Sequence, residues 1–321
     1  MESTESRHVK KTMKKIKREI KKVIVEQEKL IDLSLISLLG SGHVLLEGVP
    51  GLAKTLLVKT LAKSIKLDFN RVQFTSDLMP ADITGTKVFN MKSREFELKK
   101  GPVFTNFLLG DEINRTPPKT QAGLLEAMEE NSVTIDGELY KLPTPYMIIA
   151  TQNPLEYEGT YPLPEALVDR FLMKILVDYP TPAGESEILK RHDGGFSMAN
   201  LDEADIKIVC TAEDIINCRR QVEKVEVTAE LVDYIVEIVN RTRNNSIVEV
   251  GSSPRGSVAL LRCAKACAAY LGRDFVIPDD IKKMAISTLR HRIILQPESE
   301  LEGIKPKQVL ENILSDVEVP R

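Results

Sequence analysis

The sequence predicts an α/β fold of the P-loop type followed by a helical region, and three observations predict it. A short apolar run leads into the glycine-bearing segment Gly48 to Thr55. A second apolar run ends in Asp111-Glu112. Beyond Pro180 every segment has apolar positions three and four apart, with Gly, Asn or Pro between segments.

The chain opens on Lys10-Lys11-Thr12-Met13-Lys14-Lys15-Ile16-Lys17-Arg18, basic with apolar residues at helical spacing. Such a segment either touches nucleic acid or an acidic partner, or is the solvated face of a helix packing through Ile20, Val23 and Ile24. A net charge of −3 over 321 residues favours the second reading.

His43-Val44-Leu45-Leu46-Glu47 then reads as a strand and Thr55 to about Lys66 as a helix. Between them lie Gly48, Val49, Pro50, Gly51, Leu52, Ala53, Lys54 and Thr55. A strand that ends in glycines and re-enters as a helix aims several backbone N–H groups at one point, at the positive end of the helix dipole, so an anion fits there. Lys54 supplies a full charge for β and γ phosphates, and the Thr55 hydroxyl is placed to ligate Mg²⁺. The segment therefore predicts a nucleoside triphosphate site. It departs from the Walker A pattern at Ala53, where glycine is usual. Alanine is expected to be tolerated if this residue has helical dihedrals.

Arg71 to Phe74 is the next strand, and residues 75–104 show no single strong period. Asn106 to Gly110 is apolar and ends in Asp111 and Glu112. Two adjacent acids divide the work of phosphoryl transfer: Asp111 holds the metal shell, and Glu112 polarises the attacking water. Thr116 with Pro117-Pro118 is expected to cap and start a helix whose buried side is Leu124, Leu125 and Met128. Ser132 to Lys141 alternates around Asp136-Gly137, a hairpin signal. Tyr146 to Thr151 is a further strand, and Asn153 beyond its tip can accept from water and donate to a γ-phosphate oxygen at once. Leu172 to Asp178 is the fifth strand.

Pro180-Thr181-Pro182 breaks the chain, and helices are expected over Glu185 to His192, Thr211 to Val222, Ala229 to Arg243, Arg255 to Leu271 and Asp279 to Ile293. An arginine at position 255, in a first helical turn, opposes the dipole and calls for a phosphate or carboxylate partner. Cys210, Cys218, Cys263 and Cys267 have no CxxC spacing, which excludes a zinc ribbon and a disulfide framework and makes them core residues. No apolar run reaches membrane-spanning length and the N-terminus lacks an apolar signal core, so a cytoplasmic protein without membrane insertion is expected. With no strongly basic character and 5% aromatic residues, composition gives little support to a nucleic-acid motor; a nucleotide-gated binding switch with slow turnover is the other alternative, for which an intact Glu112 is awkward.

The stretches GHVLLEGVPGLAKT, LLGDEINRTPPKTQAGLLEAMEE, IIATQNPLEYEGTYPLPEALVDRF and GSSPRG, in that order, resemble the motifs of the MoxR-type AAA+ ATPases, and the resemblance covers nearly the whole chain. It implies a five-stranded parallel sheet in the order 5-1-4-3-2, a nucleotide-binding domain over 1–180 with a second-helix insertion around 75–104, and an α-helical lid domain over 181–321. It implies a Mg²⁺-dependent ATP hydrolase assembled as a ring, a hexamer, that remodels protein complexes, often with partners carrying von Willebrand A domains. By the same resemblance Arg170 is the arginine finger reaching a neighbouring subunit's γ-phosphate, an intrachain pair with Asp169 or Glu165 being the competing reading. Arg255 is the second sensor. Insertion and hairpin would face the pore or a substrate. Val23 to Gln27 resembles the adenine-side segment, with Glu26 standing where glycine is usual.

Overall fold

The computed structural model describes residues 4–49, 51–154, 159–194 and 204–320. Five strands, β1 (His43–Glu47), β2 (Phe69–Gln73), β3 (Phe107–Asp111), β4 (Met147–Gln152) and β5 (Phe171–Leu176), form one parallel sheet in the order β2-β3-β4-β1-β5, the expected 5-1-4-3-2 read from the other edge. Side chains alternate across it. Val44, Leu46, Leu109 and Ile149 enter one apolar cluster, while Leu45, Leu108, Ile148 and Ala150 enter the other. Both faces are thus buried, which is why these strands read as continuous apolar runs rather than alternating ones. Phe107 is 1% exposed, and its truncation to alanine would cost about 3–5 kcal/mol.

The first cluster is continuous from the N-terminal helix Thr4–Ile20 through one sheet face into the lid helices Ala212–Glu223, Pro254–Leu271 and Pro278–Leu289. Val9, Met13, Ile16 and Ile20 form the buried stripe of the first helix, and Lys10, Lys11, Lys14, Lys15 and Arg18 lie on its exposed side. The basic segment is thus a solvated helix face. Cys210, Cys218, Cys263 and Cys267 are all buried and free. Ala229–Arg243 has the bounds the periodicity predicts, and the other lid helices start or end within a few residues of theirs. Among the described residues no helix is long and apolar enough to cross a membrane.

Two segments depart from the sequence reading. Residues 75–104 hold only a short helix, Pro80–Thr84, and an antiparallel hairpin of Gly85–Asn90 with Glu95–Lys100. Its polar and apolar residues alternate imperfectly because most of the hairpin faces solvent: Phe89 and Phe96 pack edge to face at 5.3 Å while both stay exposed. The segment after Glu112 is not one helix but short pieces, Pro118–Gln121 and Leu125–Glu130 among them. Thr116 does not cap it; its hydroxyl donates to the Thr75 carbonyl at 3.1 Å, tying this segment to the end of β2. Leu124 and Met128 are buried there and Leu125 is half-buried. The hairpin Ser132–Ile135 and Glu138–Lys141 follows, with Asp136 and Gly137 both at positive φ as a two-residue turn of this kind requires.

Candidate nucleotide site

The loop after β1 is held tightly. A Cβ at Gly48 would lie 2.7 Å from the Val177 carbonyl oxygen, so only glycine lets β1 and the chain beyond β5 approach so closely. Gly51 has φ +85°, the conformation that turns the loop toward the helix Lys54–Ile65. Pro50 lies outside the described residues. Ala53 corrects an expectation: it precedes the helix in the left-handed region, φ 55° and ψ 19°, rather than in a helical turn. For a residue with a Cβ that conformation costs about 1–2 kcal/mol, which explains why glycine is usual there. Lys54 is 9% exposed, and its ammonium donates to the Gly48 carbonyl at 2.5 Å. Burial pulls its pKa below the usual lysine value, while Asp111, Glu112 and Glu47 act the other way. A buried cation held on a loop carbonyl is placed to take a phosphate as its partner.

Gly51, Leu52, Ala53, Lys54, Thr55, Asp111, Glu112 and Asn153 line one cavity of about 340 Å³, so the loop, the two acids and the β4 tip meet as the sequence reading requires. The structure adds residues that reading did not name. Thr151, 1% exposed on β4, donates to Asp111 Oδ1 at 2.6 Å and accepts from the Glu112 amide at 2.9 Å. Arg71 on β2 donates to Asp111 Oδ2 from Nε at 3.1 Å and from Nη2 at 2.7 Å. Gln73 donates to Glu112 Oε2 at 2.8 Å, and Arg115 donates to the same oxygen at 3.2 Å. The alternation of β2 places Arg71 and Gln73 on one side, a signal present in the sequence once the sheet order is known. Glu112 itself has φ 55°, which swings its carboxylate away from the line of β3.

These donors suit Mg²⁺. Among the described residues no group of three or more His, Cys, Asp or Glu could form an all-protein metal cage. A hydroxyl at Thr55 and a carboxylate at Asp111 in one cavity match instead a hard cation that keeps its waters and shares itself with phosphate.

A second cavity, about 330 Å³, opens from the same loop and is lined by Val23, Val25, Leu52, Leu56, Ile188 and Leu189 among others, an apolar slot fit for a planar base. Glu26 does not face into it. Its carboxylate accepts from the Thr181 amide at 2.9 Å and hydroxyl at 2.7 Å, and a Cβ on Gly184 would collide with it at 2.4 Å. Residue 26 has φ 57°, so Glu26 keeps the left-handed backbone that suits the glycine usual there and differs in its side chain alone.

Arg170 and Arg255 lie elsewhere. Neither lines the loop cavity; both line another of about 270 Å³ with His43, Glu129, Asp169, Arg262 and Arg292. Arg170 donates to the Ala166 carbonyl at 2.6 Å and, from Nε and Nη2, to Glu129 Oε2. The intrachain pair is therefore with Glu129, and not with Asp169 or Glu165. Arg255 finds the carboxylate partners its position demands: Glu129 Oε1 at 3.2 Å and Asp169 Oδ2 at 3.4 Å. Ser253 caps its helix, accepting from the Arg255 amide at 3.2 Å. Buried Arg292 completes the network through Asp169 Oδ1 at 2.9 Å.

The family described as ATPase family associated with various cellular activities (AAA) matches residues 43–173, and an AAA lid domain matches residues 240–313. The chain is 49% identical to the uncharacterized protein YeaC of Bacillus subtilis over 94% of its own length and 92% of that protein's. It is 42% identical to Chaperone MoxR1 of Mycobacterium tuberculosis over 94% and 81%. A crystal structure from Cytophaga hutchinsonii, named as a candidate ATPase, superposes with a TM-score of 0.90 at 44% identity, covering 99% of this chain and 97% of that one.

Proposed function

Because the chain belongs to the MoxR family of AAA+ ATPases, we propose that it hydrolyses ATP at the contacts between subunits of a ring, a hexamer, and spends the turnover on remodelling a client protein complex. The observation that carries this reading is the separation of the arginines from the phosphates. The loop cavity holds Lys54, Thr55, Asp111, Glu112 and Asn153, yet Arg170 and Arg255 stand together on a different face of the same protomer. Such a pair serves a neighbour's nucleotide more naturally than its own.

Residues 1–180 form the nucleotide-binding domain in this reading and 181–321 the lid. Amides of Gly48, Val49, Gly51, Leu52 and Ala53 with Lys54 cradle the β and γ phosphates, and Pro50 belongs to the same loop. Thr55 and Asp111 would hold Mg²⁺, which when bound neutralises charge on the transferred phosphoryl group. Glu112 accepts the proton of the attacking water as its oxygen bonds to phosphorus, while Asn153 orients that water. The γ-phosphate leaves as inorganic phosphate and ADP retains the bridging oxygen. Arg170 of one protomer stabilises the developing charge on the nucleotide of the next, worth about 10³–10⁵ in rate in comparable systems. Arg255, at the start of a lid helix, carries that state to the lid. The name of the mycobacterial relative, a chaperone, supports a protein client; a von Willebrand A domain on that client and a cytoplasmic setting are part of the same proposal.

The test is ATPase rate against protein concentration, with assembly followed in the same samples, for wild type, Glu112→Gln and Arg170→Ala. Activity that rises with assembly and dies in both variants, ATP affinity being retained in Arg170→Ala, is the expected result. Concentration-independent turnover insensitive to Arg170 would refute the interface site.

A further inference from the structure

One carboxylate, Glu129, touches both arginines. Its Oε2 accepts from Arg170 and its Oε1 from Arg255, so a residue on the helix Leu125–Glu130 joins the chain before β5 to the first turn of the lid helix Pro254–Leu271. Arg170, Arg255, Arg262 and Arg292 line the same cavity. Four guanidinium groups so close repel one another unless anions stand between them, and Glu129 and Asp169 are the two carboxylates of that lining. The hydrogen bonds from Arg170 and the charges of both arginines hold the Glu129 carboxyl below its ordinary range, so it is anionic at neutral pH. A guanidinium has five N–H donors. The contacts to Glu129, Ala166 and Asp169 leave donors on both arginines for a further anion.

We propose that Glu129 is a positioning residue of the hydrolytic reaction: it holds Arg170 and Arg255 side by side, in one geometry and without mutual repulsion, so that both meet the γ-phosphate of a neighbouring subunit as a single preformed clamp. The inference rests on the reading that these arginines act across the subunit contact. It adds that the contribution of either depends on a residue that touches no nucleotide. Misplacing a group by about an ångström can cost on the order of 10²-fold in rate, and that sets the scale of the effect.

The experiment measures kcat and KM for ATP in Glu129→Gln, Glu129→Asp and Arg170→Ala, each alone and mixed with Glu112→Gln protomers, which bring intact arginines and an intact Glu129. Glu129→Gln keeps the size of the side chain and removes its charge. Its kcat should fall roughly 10- to 100-fold at unchanged KM, because its own phosphate loop is untouched. Glu129→Asp should retain part of the rate. Admixed Glu112→Gln subunits should restore turnover at neighbouring Glu129→Gln sites, which a folding defect would not allow. Wild-type or faster turnover by Glu129→Gln, a change in KM alone, or failure of the admixture to restore rate would each overturn the proposal. A fully active Arg170→Ala would overturn the reading beneath it, and that arm is read without any Glu129 variant.

Discussion

Glu26 accepts two hydrogen bonds from Thr181, at 2.9 Å from its amide and 2.7 Å from its hydroxyl, across 155 residues of chain. Thr181 is also the N-cap of the helix Pro182–Asp193, accepting from the Gly184 amide at 3.2 Å. The carboxylate therefore ties the segment beside the apolar slot to the helix that supplies Ile188 and Leu189 on its other wall. The same bonds keep its pKa below the usual carboxylate range.

Replacing Glu26 with alanine removes both acceptors and leaves the start of that helix free to shift. The slot should widen and nucleotide affinity should drop roughly three- to tenfold, the scale of one charge-assisted hydrogen bond in an exposed place. Titration of ATP and of inorganic triphosphate into the variant separates the effects: only the ligand carrying a base should lose affinity. Equal loss for both would place the tether's influence on the phosphate loop.

Thr151 is buried at the end of β4 and holds both acids at once, donating to Asp111 and accepting from the Glu112 amide. Thr151→Val keeps the shape and removes both bonds. Stability should fall by about 1–3 kcal/mol, read from urea unfolding. The kcat should fall about tenfold because the two carboxylates lose their common anchor. A variant with full turnover would mean that the backbone alone fixes the acids.

Much of this site was legible because its chemistry is local in sequence. A strand, a glycine loop and a helix start lie within His43 to Lys54, and Asp111-Glu112 are adjacent. The sheet was legible too, since strands buried on both faces, such as Leu45 between Val44 and Leu46, leave unbroken apolar runs. What escaped depended on contacts distant in the chain. Thr151 and Arg71 gain their meaning only when β4 and β2 both lie beside β3. Glu129 acquires its two arginines from positions 41 and 126 residues away. The hairpin Gly85–Asn90 with Glu95–Lys100 was hidden for another reason: exposed on most of both faces, it carries little of the alternation that burial on one face imposes.

Ala53 offers a stability test inside the loop. Its φ of 55° is costly for alanine and free for glycine, although glycine loses more conformational freedom on folding. Ala53→Gly should be neutral or stabilising by up to about 1 kcal/mol, with ATP binding retained. Ala53→Val places a β-branched residue in the left-handed region and should destabilise the loop and weaken ATP binding. Paired unfolding curves and ATP titrations check both; destabilisation by glycine would mean that the alanine methyl packs usefully in this loop.

His43 makes stability depend on pH. Its Nδ1 accepts from the Ile148 amide at 2.9 Å and its Nε2 lies 3.0 Å from the Met128 carbonyl, so the neutral ring with the proton on Nε2 joins β1, β4 and the helix that carries Glu129. Burial, the largest cause, pushes its pKa down from 6.5 to about 4. The folded state thus resists a proton that the unfolded state accepts. Stability from this residue is complete above about pH 6.5 and is lost as pH falls from there toward 4, a span worth about 3 kcal/mol. His291, half-buried beside Arg292 and likewise held well below its ordinary value, acts in the same direction. Urea midpoints measured from pH 7.5 down to about pH 4.5 should fall steeply through this window, and His43→Gln, which cannot take up the proton, should flatten the slope. An unchanged slope in that variant would assign the acid sensitivity to His291 and the carboxylates instead.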